Sequence, residues 1–181
     1  MKKLVLWVLL ASTTLTVVAN ENNQSNNWVG GISYISLSDE EEGLDVSLGG
    51  IVGSMGYKAK FSDSFYIIPE ARLGEGISDD SVSYLGVKTD VELSSFWALS
   101  LRGQIELQNN IYVFAAPTYA NAKFSVTASK NGERVTVTDD SWEFGVGGGL
   151  GYKFSEVISA EFLYEQFDGT DVLGLGFKFN L

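Results

Sequence analysis

Over residues 171–181 the chain alternates without a break. Leu173, Leu175, Phe177, Phe179 and Leu181 are apolar, and Gly174, Gly176, Lys178 and Asn180 between them are small or polar. A strand returns its side-chain direction every two residues, so this segment has one apolar and one polar face. The pattern recurs in nearly every strand-like segment, and most of the polar faces carry charges that no apolar stretch shields. A soluble sheet turns its apolar face inward. Charged faces of this kind point instead to a sheet closed around a polar interior, with its apolar surface against lipid.

The front of the chain agrees with that compartment. Lys2 and Lys3 form a short basic region, residues 4–18 are apolar apart from Ser and Thr, and Val17-Val18-Ala19 suits small-residue cleavage. Residues 1–19 therefore read as a secretory signal peptide cut after Ala19, followed by a flexible leader over 20–27. A membrane anchor is the alternative, but its unbroken apolar core, residues 4–11, falls short of the roughly 20 residues a spanning helix needs. No later segment has a continuous apolar run of helical length. Membrane residence must use strands.

Composition removes whole classes of function. Loss of the signal takes the basic count from 12 to 10 against 23 acidic residues, a net charge of −13, which disfavours nucleic acid as a partner. With neither Cys nor His there is no thiolate metal site or thiol nucleophile, and the usual general base is missing. No catalytic, cofactor-binding or metal-ligating set emerges. Twenty glycines, two prolines and 13% aromatics suit curved β structure with aromatic bands.

Alternation and turn signals divide residues 28–181 into eight strands. The first spans about 28–37 and leads into a loop at 38–43. The second spans about 45–59, with Ile51, Met55 and Tyr57 on one face. The third sets Phe65, Ile67, Pro69, Ala71 and Leu73 against Tyr66, Glu70 and Arg72. After a loop rich in Gly, Ser and Asp, the fourth sets Trp97, Leu99, Leu101, Ile105 and Leu107 against Ser100, Arg102, Gln104 and Glu106. The fifth is read with Tyr112, Phe114, Ala116, Ala120, Ala122 and Phe124 on its apolar face and Asn121, Lys123 and Ser125 opposite. Asn131-Gly132 favours a two-residue hairpin turn. The sixth alternates Trp142, Phe144, Val146, Leu150, Tyr152 and Phe154 with Glu143, Gly145, Gly147, Gly149, Gly151 and Lys153. The seventh opposes Ile158, Ala160, Phe162 and Tyr164 to Ser159, Glu161 and Glu165. The expectation is an all-β, eight-stranded, antiparallel, up-and-down transmembrane β-barrel over 28–181, with a polar packed interior. An even strand count returns both termini to one side, and short turns belong on the periplasmic side. The alternation of the fifth and sixth strands runs to nearly twice the 9–11 residues a membrane crossing uses. With the fourth, they are expected to stand above the outer surface as a sheet.

At this point the chain resembles the small eight-stranded outer-membrane barrels of the OmpX and OmpA transmembrane-domain type. The residues that carry the likeness are the closing strand over 174–181, the Phe65-Tyr66-Ile67-Ile68-Pro69-Glu70-Ala71-Arg72 strand, and Ala115-Ala116-Pro117-Thr118-Tyr119-Ala120. The resemblance implies a Gram-negative outer membrane and insertion by the barrel-assembly machinery, read from a C-terminal aromatic. This chain ends on Leu181 instead, while Phe177 and Phe179 keep the aromatic spacing of that signal.

On this register Glu70, Arg72, Arg102, Gln104, Glu106, Lys123, Glu143, Lys153, Glu161, Glu165 and Lys178 point into the lumen. They form either a fixed network of paired charges or a narrow ion path. An eight-stranded bore leaves little room beyond its own side chains, and buried charges must pair, so the plug is favoured. Tyr57, Trp97, Trp142, Tyr152, Phe154 and Tyr164 are read as aromatic belts at the two membrane interfaces. Asp39, Glu40, Glu41, Glu42, Asp79, Asp80, Glu133, Asp139 and Asp140 crowd the outer side without the spacing of a calcium loop,. They read as a solvated rim facing lipopolysaccharide.

Three functional classes meet these residues: a monomeric, non-enzymatic surface barrel acting through loops or a raised sheet in surface interaction or envelope integrity, a porin-like channel for small solutes or ions, and a lipid hydrolase. The hydrolase needs a histidine the chain lacks. Inward charges argue against the channel.

Overall fold

The computed structural model describes residues 27–41, 44–84, 87–130 and 133–181. The signal segment, the leader before Asn27 and the Asn131-Gly132 pair lie outside the described residues. Ten antiparallel strands follow one another: β1 (Trp28–Glu41), β2 (Leu44–Tyr57), β3 (Ala59–Lys60), β4 (Phe65–Ser78), β5 (Asp80–Tyr84), β6 (Val87–Glu106), β7 (Ile111–Lys130), β8 (Glu133–Lys153), β9 (Ile158–Gln166) and β10 (Thr170–Asn180). The two-residue β3 carries β2 onward along β4, and β5 carries β4 onward along β6. The remaining eight close into a barrel. β4 lies between β2 and β6, and β1 pairs with β10 from Val29↔Asn180 to Asp39↔Thr170.

Closure satisfies the backbone, and alternation then sorts the side chains. Ile32, Ile51, Met55, Leu73, Leu99, Leu101, Ile105, Phe144, Val146, Leu150 and Leu175 are exposed on the outer wall, while Glu70, Arg72, Arg102, Gln104 and Glu165 are buried. That is the inverse of a soluble protein, and it fits an outer wall solvated by hydrocarbon. The turn after β6 uses Asn109 and Asn110 at φ 61° and 63°. Two successive left-handed residues make the primed turn that matches strand twist, and Asn tolerates that region better than most residues.

Two sequence expectations change, and one irregularity is new. The loops expected at 38–43 and between the third and fourth strands are largely ladder: Glu41 pairs with Leu44, and β5 pairs with β6 from Asp80↔Val91 to Tyr84↔Val87. Polar side chains do not prevent pairing, because the backbone makes the ladder. The fifth strand, β7, is turned the other way round. Tyr112, Phe114, Ala116 and Ala120 are buried inside the barrel, and Val113 and Tyr119 face out. Both faces of its lower half are apolar, so alternation alone did not choose between them. A register shift between Leu93 and Ser95 in β6 leaves Ser94 as an extra residue, so Leu93 and Phe96 both become buried,.

β6, β7 and β8 run for 20, 20 and 21 residues, against 9 in β9 and 11 in β10. β8 meets β9 only from Val146 to Lys153, while its ladder with β7 continues to Lys130↔Glu133. Residues 133–145 thus form a sheet edge paired on one side among the described residues.

Leu101 lies on the outer wall opposite Pro69. Leu101→Arg is expected to destabilise the refolded barrel by about 2–4 kcal/mol, the midplane cost of a lipid-facing arginine. Denaturant unfolding in lipid vesicles reads this, and a loss below about 0.5 kcal/mol would place Leu101 away from hydrocarbon.

Candidate functional site: the bore

Three groups of charge are stacked along the lower bore, each built by strands that are not neighbours in sequence. At the turn end Glu106 of β6 accepts from Lys58 at 2.7 Å and Lys153 at 2.6 Å through the same Oε1. Above it Arg102 of β6 pairs with Glu161 of β9, and its guanidinium also reaches Gln104 Oε1 at 3.2 Å. Tyr112 donates to Glu161 at 2.7 Å, and Arg102 lies 3.4 Å from the centre of the Phe114 ring, a close cation–π contact. At a similar level Lys178 of β10 pairs with Glu70 of β4 and donates to Ser54 Oγ at 2.8 Å. Higher still, Arg72 of β4 grips Glu165 of β9 in a two-pronged pair at 2.7 and 2.8 Å, with Thr118 donating to the same carboxylate at 2.7 Å. Such a fork matches both oxygens of a carboxylate.

An apolar collar lies above the charges. Ile35, Leu37, Leu48, Val52, Leu93, Phe96, Ala98, Ala120, Phe167 and Val172 pack as one buried cluster. The inner face of β8 makes room for what crosses the bore. A Cβ on Gly147 would lie 2.3 Å from Glu165 Cγ, and one on Gly151 2.1 Å from Tyr112 Cζ. Both positions need the missing side chain.

Of the residues read as lumenal, Glu70, Arg72, Arg102, Gln104, Glu106, Lys153, Glu161, Glu165 and Lys178 come together in these groups. Glu143 stands apart, half-buried beyond the collar, where it accepts from Ser141 at 2.8 Å. Lys123 is a correction. It is exposed and shares the outer face of β7 with Tyr119, because reversing that strand reverses every residue on it. Lys58, Ser54, Tyr112 and Thr118 escaped the sequence reading. Lys58 continues the inward parity of Ser54 and Gly56 just past the end of β2 at Tyr57, a signal already inside the second strand as read over 45–59, where only its apolar face was assigned. Tyr57, Trp97, Trp142, Tyr152, Phe154 and Tyr164 are all exposed on the outer wall. Trp142 stacks on Tyr119 at 5.0 Å, and Tyr152 meets Phe154 edge-on at 5.3 Å. Phe177 and Leu181 are exposed and Phe179 is half-buried, with the Leu181 amide donating to Trp28 O at 2.9 Å.

The profile of the family described as outer membrane protein beta-barrel domain matches residues 5–181. Among solved structures, the barrel is similar to Neisserial surface protein A (8% identity, TM-score 0.56, covering 86% of this chain and 97% of that one). It is also similar to Ail, the attachment invasion locus protein of Yersinia pestis, solved with the heparin analogue sucrose octasulfate (14% identity, TM-score 0.56, covering 84% and 96%). At these identities the likeness is one of fold. No curated protein is similar to the chain in sequence.

Arg72→Met leaves Glu165, 1% exposed, as an uncompensated buried charge, so it is expected to cost about 3–5 kcal/mol. Arg72→Met combined with Glu165→Leu is expected to recover most of that loss. Urea unfolding of the wild type, both single variants and the double variant gives the coupling. A double variant as unstable as the sum of the singles would mean the two groups do not act as a pair.

Proposed function

The chain belongs to the outer membrane protein beta-barrel domain family and is an integral protein of the Gram-negative outer membrane, and from that premise we propose that it is a monomeric, non-enzymatic surface protein acting through the sheet of β6, β7 and β8 beyond the barrel. The unpaired edge of β8 over residues 133–145 is the observation that carries this reading. Its N–H and C=O groups offer a template for another strand, while Val135 and Val137 are exposed beside it,. The orientation follows: short turns and both termini in the periplasm, the long hairpins outside. Phe177, Phe179 and Leu181 then serve as the segment read by the barrel-assembly machinery, and the outward aromatics sit at the two interfaces.

Charge narrows the partner. Glu133, Asp139 and Asp140 are exposed on the same stretch of β8, with Arg134 opposing them. The Ail structure holds a sulfated polyanion. The acidic sheet here favours a neutral or cationic polypeptide instead, with lipopolysaccharide phosphates reached only through divalent cations. A channel is the weaker reading, since three charge groups and an apolar collar fill the bore.

Replacing residues 126–137 by Asn-Gly joins the paired residues Ser125 and Thr138 by a short turn and removes the outer end of the β7–β8 hairpin, with Val135, Val137 and the β8 edge over 133–137. The trimmed barrel is expected to keep its heat-modifiable migration on gels. Cells producing it are expected to lose adherence to protein-coated surfaces several-fold while keeping their resistance to detergent. Unchanged adherence with weakened detergent resistance would move the role to envelope integrity. In planar bilayers the purified protein is expected to be silent at all voltages. Regular current steps abolished by Arg102→Gln would establish a channel.

A further inference from the structure

We propose that the turn end of the bore is a blind vestibule that binds one chloride-sized monovalent anion between Lys58, Lys153 and Arg102. The charge balance beneath the collar points to it. Among the described residues, Lys58, Arg72, Arg102, Lys153 and Lys178 face Glu70, Glu106, Glu161 and Glu165 there, five cations to four carboxylates. Glu143 does not restore the balance, because it lines a separate space with Phe96, Phe124 and Phe167 on the far side of the collar. The surplus falls where two lysines share a single oxygen of Glu106. A positive charge left over in a confined, partly desolvated space draws an anion to it.

A second, independent feature lies in the same wall. Arg102 is 4% exposed, and its Nε has no hydrogen-bond partner among the described residues. Buried donors of charged groups rarely stay unsatisfied. Arg102 separates two cavities, and the one nearer the turns is lined by Lys58, Lys153 and Lys178 besides Arg102, against the carboxylates Glu70 and Glu161, so cations outnumber carboxylates in its wall as well. Its volume is about 30 Å³, where a single water needs roughly 10–15 Å³. A halide fits, and a sugar or a nucleotide does not. The collar of Ile35, Leu37, Val52, Phe96, Phe167 and Val172 closes the other end, so the ion enters and leaves through the turn end. It is a bound counter-ion that does not permeate. This site does not depend on the raised sheet, and the adherence test and the chloride test do not bear on each other.

The test uses the whole refolded barrel in detergent micelles at fixed ionic strength, with sodium gluconate, too large for the cavity, replaced stepwise by sodium chloride. The thermal midpoint of the wild type is expected to rise with chloride and then saturate. Lys153→Gln balances the charges, so about tenfold more chloride is expected for half the rise. Glu106→Gln adds a second surplus charge and is expected to shift the half-rise to lower chloride. Excess broadening of the 35Cl resonance by the wild type, lost in Lys153→Gln, reports the ion directly. If Lys153→Gln does not fold, Lys58→Gln removes the same charge from the other side of Glu106. A midpoint that follows ionic strength alone, or a chloride response that survives loss of either lysine, overturns the proposal.

Discussion

Everything in this molecule follows from the need to pair each backbone N–H and C=O where no water is available. In hydrocarbon an unpaired peptide group costs several kcal/mol, so a sheet survives only by closing on itself. The ladder of β1 with β10 is therefore the decisive contact, although it joins the two ends of the chain. Once the ring is closed, alternation leaves no freedom. One face must meet lipid and the other must fill a bore too narrow for bulk water. Only outside hydrocarbon can a strand keep an open edge, and among the described residues β8 keeps one over 133–145, beyond the closed part of the ring.

The filling of the bore does more than occupy space. Buried ion pairs are a poor source of net stability, because desolvation consumes most of their attraction. Their geometry is nevertheless demanding. Arg72 to Glu165 links β4 to β9, Arg102 to Glu161 links β6 to β9, and Lys178 to Glu70 links β10 to β4. Each spans the bore between strands that are not hydrogen-bonded to each other. A one-residue slip in any of them would turn a charge into lipid, so the network penalises every register but one. Lipid-facing side chains cannot do this, since one apolar residue suits hydrocarbon as well as another.

How much of this could be read from sequence depends on how asymmetric each strand is. The closing strand, with Gly174, Gly176 and Lys178 opposed to Leu173, Leu175 and Phe177, left one reading. Arg102 and Glu106 on β6 did the same. β7 carries no charge below Lys123, and its inward residues Tyr112, Phe114 and Ala116 are as apolar as its outward ones. Its face was decided by Arg102, which needs the Phe114 ring above its guanidinium and the Tyr112 hydroxyl on its partner Glu161. That requirement lies in a neighbouring strand, where a periodicity within β7 cannot register it. The hairpins at Glu41 and Tyr84 were hidden for another reason. Composition marks solubility, and a ladder standing in water is soluble whether or not it is a strand.

The apolar collar explains why the bore is polar for only part of its height. β9 ends at Gln166, while β8 beside it continues past Gly145, so at this level the ring opens and a purely polar interior would flood. The short β9–β10 connection, held by Phe167 N to Thr170 O at 2.9 Å, instead turns the Phe167 ring inward against Gly145, where a Cβ would lie 2.5 Å from the ring. Leu93 and Phe96 reach the same cluster because the extra residue in β6 brings both inward. A bulge in one strand, a glycine in another and a phenylalanine in a turn thus meet at the height where three strands leave the barrel. Below that level the charges are shielded from the outside. Above it, the sheet no longer needs a second face and can present both to solvent.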